Sequence, residues 1–171
     1  RGGGDSDSAT IWGTDAAETA HLYNGSATLR GGVEVTISET STIVLYAGGE
    51  GDAAYLHGSS LITEAVYGYA TYAVMGGSGY INRVKGFGYV SAEGNPGGKD
   101  AAYFYDSPGD DVFAASADEA SLRGVGFHNV ARNFRYARAY ATNGGDDTAT
   151  LVGSTANDSL WSYPAETILS G

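Results

Sequence analysis

Five aspartates are placed where a hard cation could be held: Asp110, Asp111, Asp146, Asp147 and Asp158. They fall in or near glycine turns, as in Gly109-Asp-Asp-Val-Phe113 and Gly144-Gly-Asp-Asp147, and Gly48-Gly-Glu-Gly-Asp52 is of the same kind. Carboxylate oxygens offered from such turns are the ligands calcium takes. Calcium-binding repeat turns share oxygens between copies about nine residues apart. Here the acidic positions recur at 11, from Asp100 to Asp111 and from Asp147 to Asp158, and 11 beyond Asp52 lies Thr63. The preferred reading is therefore that these side chains brace glycine turns by accepting backbone N–H groups. Calcium is the one candidate ion, and no other cofactor is expected.

Other reactive residue types are scattered. His21, His57 and His128 stand alone in the sequence, without the spacing of a metal site on one helix or hairpin, and read as packing or surface residues. No Gly-x-Ser-x-Gly elbow is present. A carboxylate pair for sugar hydrolysis would have to come from acids that simply follow the repeat described below, so a polysaccharide-active enzyme is the least favoured reading. Arg132, Arg135 and Arg138 interleave with Phe134, Tyr136 and Tyr140, a pattern that can stack bases or sugars; exposed arginines pairing with acidic neighbours is the simpler reading. Asn24-Gly-Ser26 and Asn157-Asp-Ser159 match the glycosylation sequon.

Composition narrows the partners. Twenty acidic residues against nine basic ones leave a net charge of −11, which repels phosphate backbones and anionic membranes. No apolar run is long enough for a membrane helix. There is no cysteine, so stability must come from backbone pairing and packing rather than disulfides. With 27 glycines and 13 tyrosines in 171 residues, short strands joined by glycine turns are expected. Residue 1 is Arg1 rather than methionine, which suggests a processed product or a piece of a longer chain.

What must position all these residues is an internal repeat. Asp7-Ser-Ala-Thr-Ile-Trp-Gly-Thr14, Asp52-Ala-Ala-Tyr-Leu-His-Gly-Ser59, Asp100-Ala-Ala-Tyr-Phe-Tyr-Asp-Ser107 and Asp147-Thr-Ala-Thr-Leu-Val-Gly-Ser154 align at offsets of 45, 48 and 47. A second column, Leu29-Arg-Gly31, Met75-Gly-Gly77, Leu122-Arg-Gly124 and Leu169-Ser-Gly171, keeps the same period, and Phe87 pairs with Phe134. Within the third copy, anchors near 100, 111, 122 and 134 mark a strand start every 11 to 13 residues. Glu18, Thr63, Asp111 and Asp158 hold the second slot. Alternation such as Ala102-x-Phe104 argues half-buried strands, and the stretch Phe113 to Leu122 allows at most one helical turn.

The expected fold is all-β and solenoid-like, about four strands per 47-residue repeat, with two coils in each. A β-propeller or sandwich is the alternative. Residues 1–171 form a single repeat domain, with repeats starting near 7, 52, 100 and 147 and the last incomplete. Tyrosines such as Tyr55, Tyr67, Tyr69, Tyr72, Tyr103, Tyr105, Tyr136 and Tyr140 are expected to form ladders along the stack. Neither end reads as a cap, so each is expected to stack on more β structure.

The run from Lys99 through Phe113, continued by Leu122-Arg-Gly-Val-Gly-Phe127, Phe134 and Ala139-Tyr-Ala-Thr-Asn-Gly-Gly-Asp-Asp147, resembles a repeat of very large secreted proteins of planctomycete-type bacteria. The resemblance covers about residues 80–155 and is loose before 75. It implies an extracellular or cell-surface location and attaches no activity. Together with the open ends, this leads to the expectation of a non-enzymatic structural subunit of an extracellular filament or matrix. Its partners would be other copies, head to tail, with glycans as a further class. The alternatives are a calcium-stiffened adhesin and a carbohydrate-binding module.

Overall fold

The computed structural model describes residues 6–162 and 167–170. Gly171, which the second repeat column uses, lies outside them. Three repeats are described from end to end, and each is built the same way: a lone strand, a three-stranded antiparallel meander, then another lone strand. The first holds β1 (Ser8–Trp12), β2 (Thr19–Tyr23), β3 (Ser26–Arg30), β4 (Val35–Ile37) and β5 (Thr42–Tyr46). The second holds β6 (Ala53–His57), β7 (Glu64–Gly68), β8 (Tyr72–Gly77), β9 (Tyr80–Lys85) and β10 (Tyr89–Glu93). The third holds β11 (Ala101–Tyr105), β12 (Val112–Ala115), β13 (Glu119–Gly124), β14 (Phe127–Arg132) and β15 (Tyr136–Tyr140). A fourth begins with β16 (Thr148–Leu151), β17 (Ser159–Ser162) and β18 (Thr167–Ser170).

The strands form two facing sheets that stack as a β-solenoid. One, sheet A, runs β1-β5-β9-β8-β7-β11-β15; the other, sheet B, runs β4-β3-β2-β6-β10-β14-β13-β12-β16. β17 and β18 pair only with each other among the described residues. At about 4.8 Å between strands, nine rungs make a stack roughly 40 Å long.

A repeat visits the sheets three times: lone strand, meander, lone strand. The number is odd, so each repeat starts on the sheet opposite its predecessor. β1 and β11 belong to sheet A, β6 and β16 to sheet B. Each repeat thus makes one and a half coils rather than the two expected, and identical environments recur every second repeat. The four expected slots also become five strands, because the slot near Leu122 opens a hairpin, β13–β14. Residues Phe113 to Leu122 contain no helical turn; two strands occupy them.

The core is thin and layered. Strands present alanine and a larger residue two positions on, and alternation sends both inward. Ala20 with Leu22, Ala54 with Leu56 and Ala102 with Phe104 are all essentially inaccessible. The hairpin turns at Gly79 and Gly126, 47 residues apart, take φ of 88° and 79°, which a glycine adopts without strain. No helix among the described residues is long and apolar enough to cross a membrane.

Candidate functional site

The acidic column laces one repeat to the next. Glu18 accepts the N–H and hydroxyl of Thr14, both at 2.8 Å, and its own N–H donates to Asp52 Oδ1 of the following repeat at 2.7 Å. Glu64 accepts from Ser59 N–H at 2.8 Å and donates its N–H to Asp100 Oδ1 at 2.8 Å. Asp111 accepts from Ser107 N–H at 2.6 Å and donates to Asp147 Oδ1 at 2.9 Å. The second slot of the second repeat is thus held by Glu64, not Thr63. The loop from Ser59 is one residue longer there than its counterparts, which hides the carboxylate from a fixed spacing of 11.

Each carboxylate sits where a glycine leaves room. A Cβ on Gly124 would overlap Asp111 Oδ1, and one on Gly31 would press on Glu18 Cγ at 2.7 Å. Two columns of the repeat, glycine and acid, are therefore one packing arrangement. Burial raises the pKa of Glu64, with the Asp100 charge adding to the rise and the hydrogen bonds from Tyr80 and Ser59 opposing it. The Tyr80 hydroxyl donates to Glu64 Oε1 at 2.7 Å, and burial followed by that contact pushes Tyr80 far up.

Asp110 and Asp146 are exposed, and Asp110 Oδ1 accepts Asp146 N–H at 2.8 Å. Asp158 is exposed and accepts the Ser154 hydroxyl at 2.9 Å. Of the five candidate calcium ligands, four lie in two neighbouring loops and Asp158 lies beyond them. Among the described residues, no group of three or more His, Asp or Glu side chains converges to hold a metal ion.

The outer face of sheet A carries a continuous row of flat and cationic side chains. Trp12 stacks on Tyr46 with centroids 5.4 Å apart, and Lys85 lies over Tyr46 at 4.8 Å. Tyr72 is in register with Lys85 and stacks on Tyr69 at 4.4 Å. Tyr69 stacks on Tyr105 at 4.4 Å, and Tyr105 on Tyr140 at 4.9 Å. The row runs from β1 to β15, the full width of the sheet. Its rings cover one another's faces and turn their edges to solvent. A sugar-binding platform presents ring faces, so this geometry suits axial cohesion better than glycan stacking.

The outer face of sheet B gathers the histidines. His21 on β2 and His57 on β6, isolated in sequence, meet with Nδ1 and Nε2 3.0 Å apart. Burial, then His21, lowers the pKa of His57, while Glu93 pulls the other way. His128 lies apart from that pair, edge-on to Tyr89 at 5.4 Å. Sequence spacing could not reveal the His21–His57 contact, because it depends on which strands pair across the repeat boundary.

The arginine cluster is dispersed. Arg132 on sheet B pairs with Glu119 at 2.8 Å, Arg135 lies over the Tyr136 ring at 5.5 Å, and Arg138 is on a strand of sheet A. No single basic stacking surface results. Two buried asparagines escaped the sequence reading although they keep the 47-residue period. Asn82 donates to the carbonyl of Tyr23 at 2.9 Å, and Asn129 to that of Tyr69 at 3.0 Å. Each ties a meander to the preceding repeat.

Both ends of the stack stay open among the described residues. The edge strands are β1 and β4 at one end, β15 and β16 at the other. Following the pairings along each sheet, β1 runs parallel to β15, and β4 parallel to β16. At the β15–β16 end a trough of about 1340 Å³ opens between the sheets, lined by Phe113, Leu122, Phe134, Ala139, Ala149 and Leu151. At the other end Ala9, Ile11, Val35 and Ile37 are only half-buried. No protein-family model, no curated protein and no solved structure matches the chain.

Proposed function

We propose that this chain is a non-enzymatic structural subunit that stacks head to tail into an extracellular filament or surface matrix. The observation that carries the reading is the matched openness of the two ends. Among the described residues both sheets finish in unpaired strands of the same direction, with alternating apolar residues facing an uncovered core. A second copy set on the first places β1 beside β15 and β4 beside β16, with parallel pairing in both sheets at once. In that register Trp12 stacks on Tyr140 and continues the aromatic row. Ile11 then falls beside Ala139, and Val35 and Ile37 face the trough beside Ala149 and Leu151. Such a contact is heterologous and does not close on itself, so it propagates.

An extracellular or cell-surface location suits a stiff, acidic, cysteine-free rod, and the sequence resemblance supports it. The loop carboxylates already accept backbone and hydroxyl donors, so the reading asks for no calcium.

Negative-stain electron microscopy in excess EDTA, together with sedimentation velocity, tests the proposal. Long uniform fibres are expected. Ile11→Lys, which puts a charge into the joint, is expected to yield separate short particles with unchanged far-ultraviolet circular dichroism. Discrete monomers of the unmodified chain at high concentration, with or without calcium, would overturn it.

A further inference from the structure

Sheet A departs from the acidity of the chain. Of 20 acidic residues, its seven strands carry one, Glu64, and that side chain is buried. The same strands carry three cations, Arg83 and Lys85 on β9 and Arg138 on β15. On sheet B, Arg30 and Arg132 are paired with Glu34 and Glu119. Arg83 and Lys85 have no carboxylate partner among the described residues. They lean on ring faces instead, Arg83 over Tyr72 at 6.0 Å and Lys85 over Tyr46 at 4.8 Å. Two residues apart on one strand, they leave the sheet on the same face, roughly 7 Å from each other. With Thr71 and Tyr72 they line a shallow groove of about 340 Å³. The neighbouring rings turn their edges outward, and a ring edge is the positive end of its quadrupole. Such a groove takes carboxylates.

We propose that this groove docks the acidic loop edge of a second copy, led by Asp15 and Glu50, and so holds fibres side by side. The inference deepens the filament reading and rests on it for the fibres themselves. Asp15 and Glu50 are exposed, and neither carboxylate has a partner among the described residues. They sit on adjacent rungs, because β1 pairs with β5 and the loops that follow, 13–18 and 47–52, run together. A Cβ on Gly49 would come within 2.6 Å of the Asp15 carbonyl oxygen. Rungs are about 4.8 Å apart, so two carboxylates meet two cations at a similar spacing. The same corner recurs two repeats on as Asp110 and Asp146, but there the Asp146 N–H already engages Asp110 Oδ1 at 2.8 Å.

A second copy is the occupant because groove and acidic edge belong to one subunit. Along a fibre each recurs once per subunit, so the two surfaces of neighbouring fibres keep the same period. A free acidic polymer has no such match. The net charge of −11 opposes the contact only at long range, since about 0.15 M salt screens charges beyond roughly 8 Å. At about 1 M the screening length falls to about 3 Å, which weakens exposed pairs and spares an apolar end-to-end joint.

The test is zero-length carbodiimide cross-linking of an equal mixture of ¹⁴N- and ¹⁵N-labelled chain, read by mass spectrometry, with electron microscopy of the same material. Lys85 and Lys99 are the two lysines of the chain, so the linked amine is unambiguous. Mixed-isotope peptides joining Lys85 to Asp15 or Glu50 are expected. Fibres should lie in bundles at about 0.15 M salt and separate into single fibres at about 1 M. Arg83→Glu should abolish both the bundles and the cross-link while leaving single fibres. Reversing both sides in one chain, with Arg83→Glu, Lys85→Glu, Asp15→Lys and Glu50→Lys, should restore the bundles. If the chain forms no fibres, the filament reading fails by itself, and the lateral contact is still read from the same cross-link between single subunits. Lys85 linked only within its own chain would overturn the proposal. So would protection of Lys85 by added alginate without any link between copies, which would assign the groove to an acidic glycan.

Discussion

β11 and β16 carry the same repeat pattern, Ala-x-Phe in one and Ala-x-Leu in the other, yet their surroundings differ sharply. Ala102 is 1% exposed and Phe104 is 1% exposed, whereas Ala149 is exposed and Leu151 is only half-buried. Local sequence, strand type and position in the repeat are alike. The difference is that β11 has a rung on both sides, β7 and β15, while among the described residues β16 has β12 alone. Burial in a stacked fold is given by the next rung rather than by the strand itself. β16 has the pattern of a core strand with one neighbour among the described residues, and the proposed joint would supply a second.

The largest effect that sharpens this contrast is a truncation in each strand. Phe104→Ala should cost about 3–5 kcal/mol in urea unfolding, because its cavity is enclosed. Leu151→Ala in the dispersed subunit should cost less than about 1 kcal/mol, because water already reaches the site. Equal losses would mean that β16 is packed as tightly as β11.

The carboxylate column offers a second, smaller contrast. Asp100 takes two backbone donors while 1% exposed, from Glu64 and Asn95, both at 2.8 Å. Asp100→Asn sets an amide N–H₂ against one of those donors and should cost about 1–3 kcal/mol. Asp147→Asn, at a half-buried position near the open end, should cost distinctly less. Chemical denaturation of the two variants side by side decides the matter.

The smallest effect lies in the aromatic row. Tyr69, flanked by Tyr72 and Tyr105, has its pKa pushed up to about 12, by burial first and then by the hydroxyls of Tyr72 and Tyr105. The folded state therefore holds the proton more tightly than the unfolded one. The stabilisation this gives is complete below about pH 10, the ordinary tyrosine value, and is lost as pH rises through the folded pKa near 12. Tyrosinate absorbance should show a late step that disappears in Tyr69→Phe. A titration identical with and without that substitution would argue that the row is looser than described.

Much of this fold is legible in the chain. Period, strand type and inward phase follow from residues such as Ala54, Leu56, Ala102 and Phe104, because alternation and glycine turns are local properties of the backbone. The bracing role of Asp111 was legible for the same reason, through glycine and serine nearby. Glu64 was missed because one inserted loop residue shifts it out of step. Asn82 and Asn129 were missed because a polar residue inside a strand looks exposed until its acceptor in the previous repeat is known.

What the sequence by itself determined is an all-β repeat of about 47 residues, its core-facing positions and its acid-and-glycine turns. What only the tertiary structure decided is the odd number of sheet visits per repeat. That count makes successive repeats face opposite ways, runs one aromatic row across a whole sheet, and brings His21 to His57. The physical reason is that such contacts depend on which strands become neighbours. Neighbours are chosen by pairing and packing across residues far apart in the chain, where local periodicity carries no information.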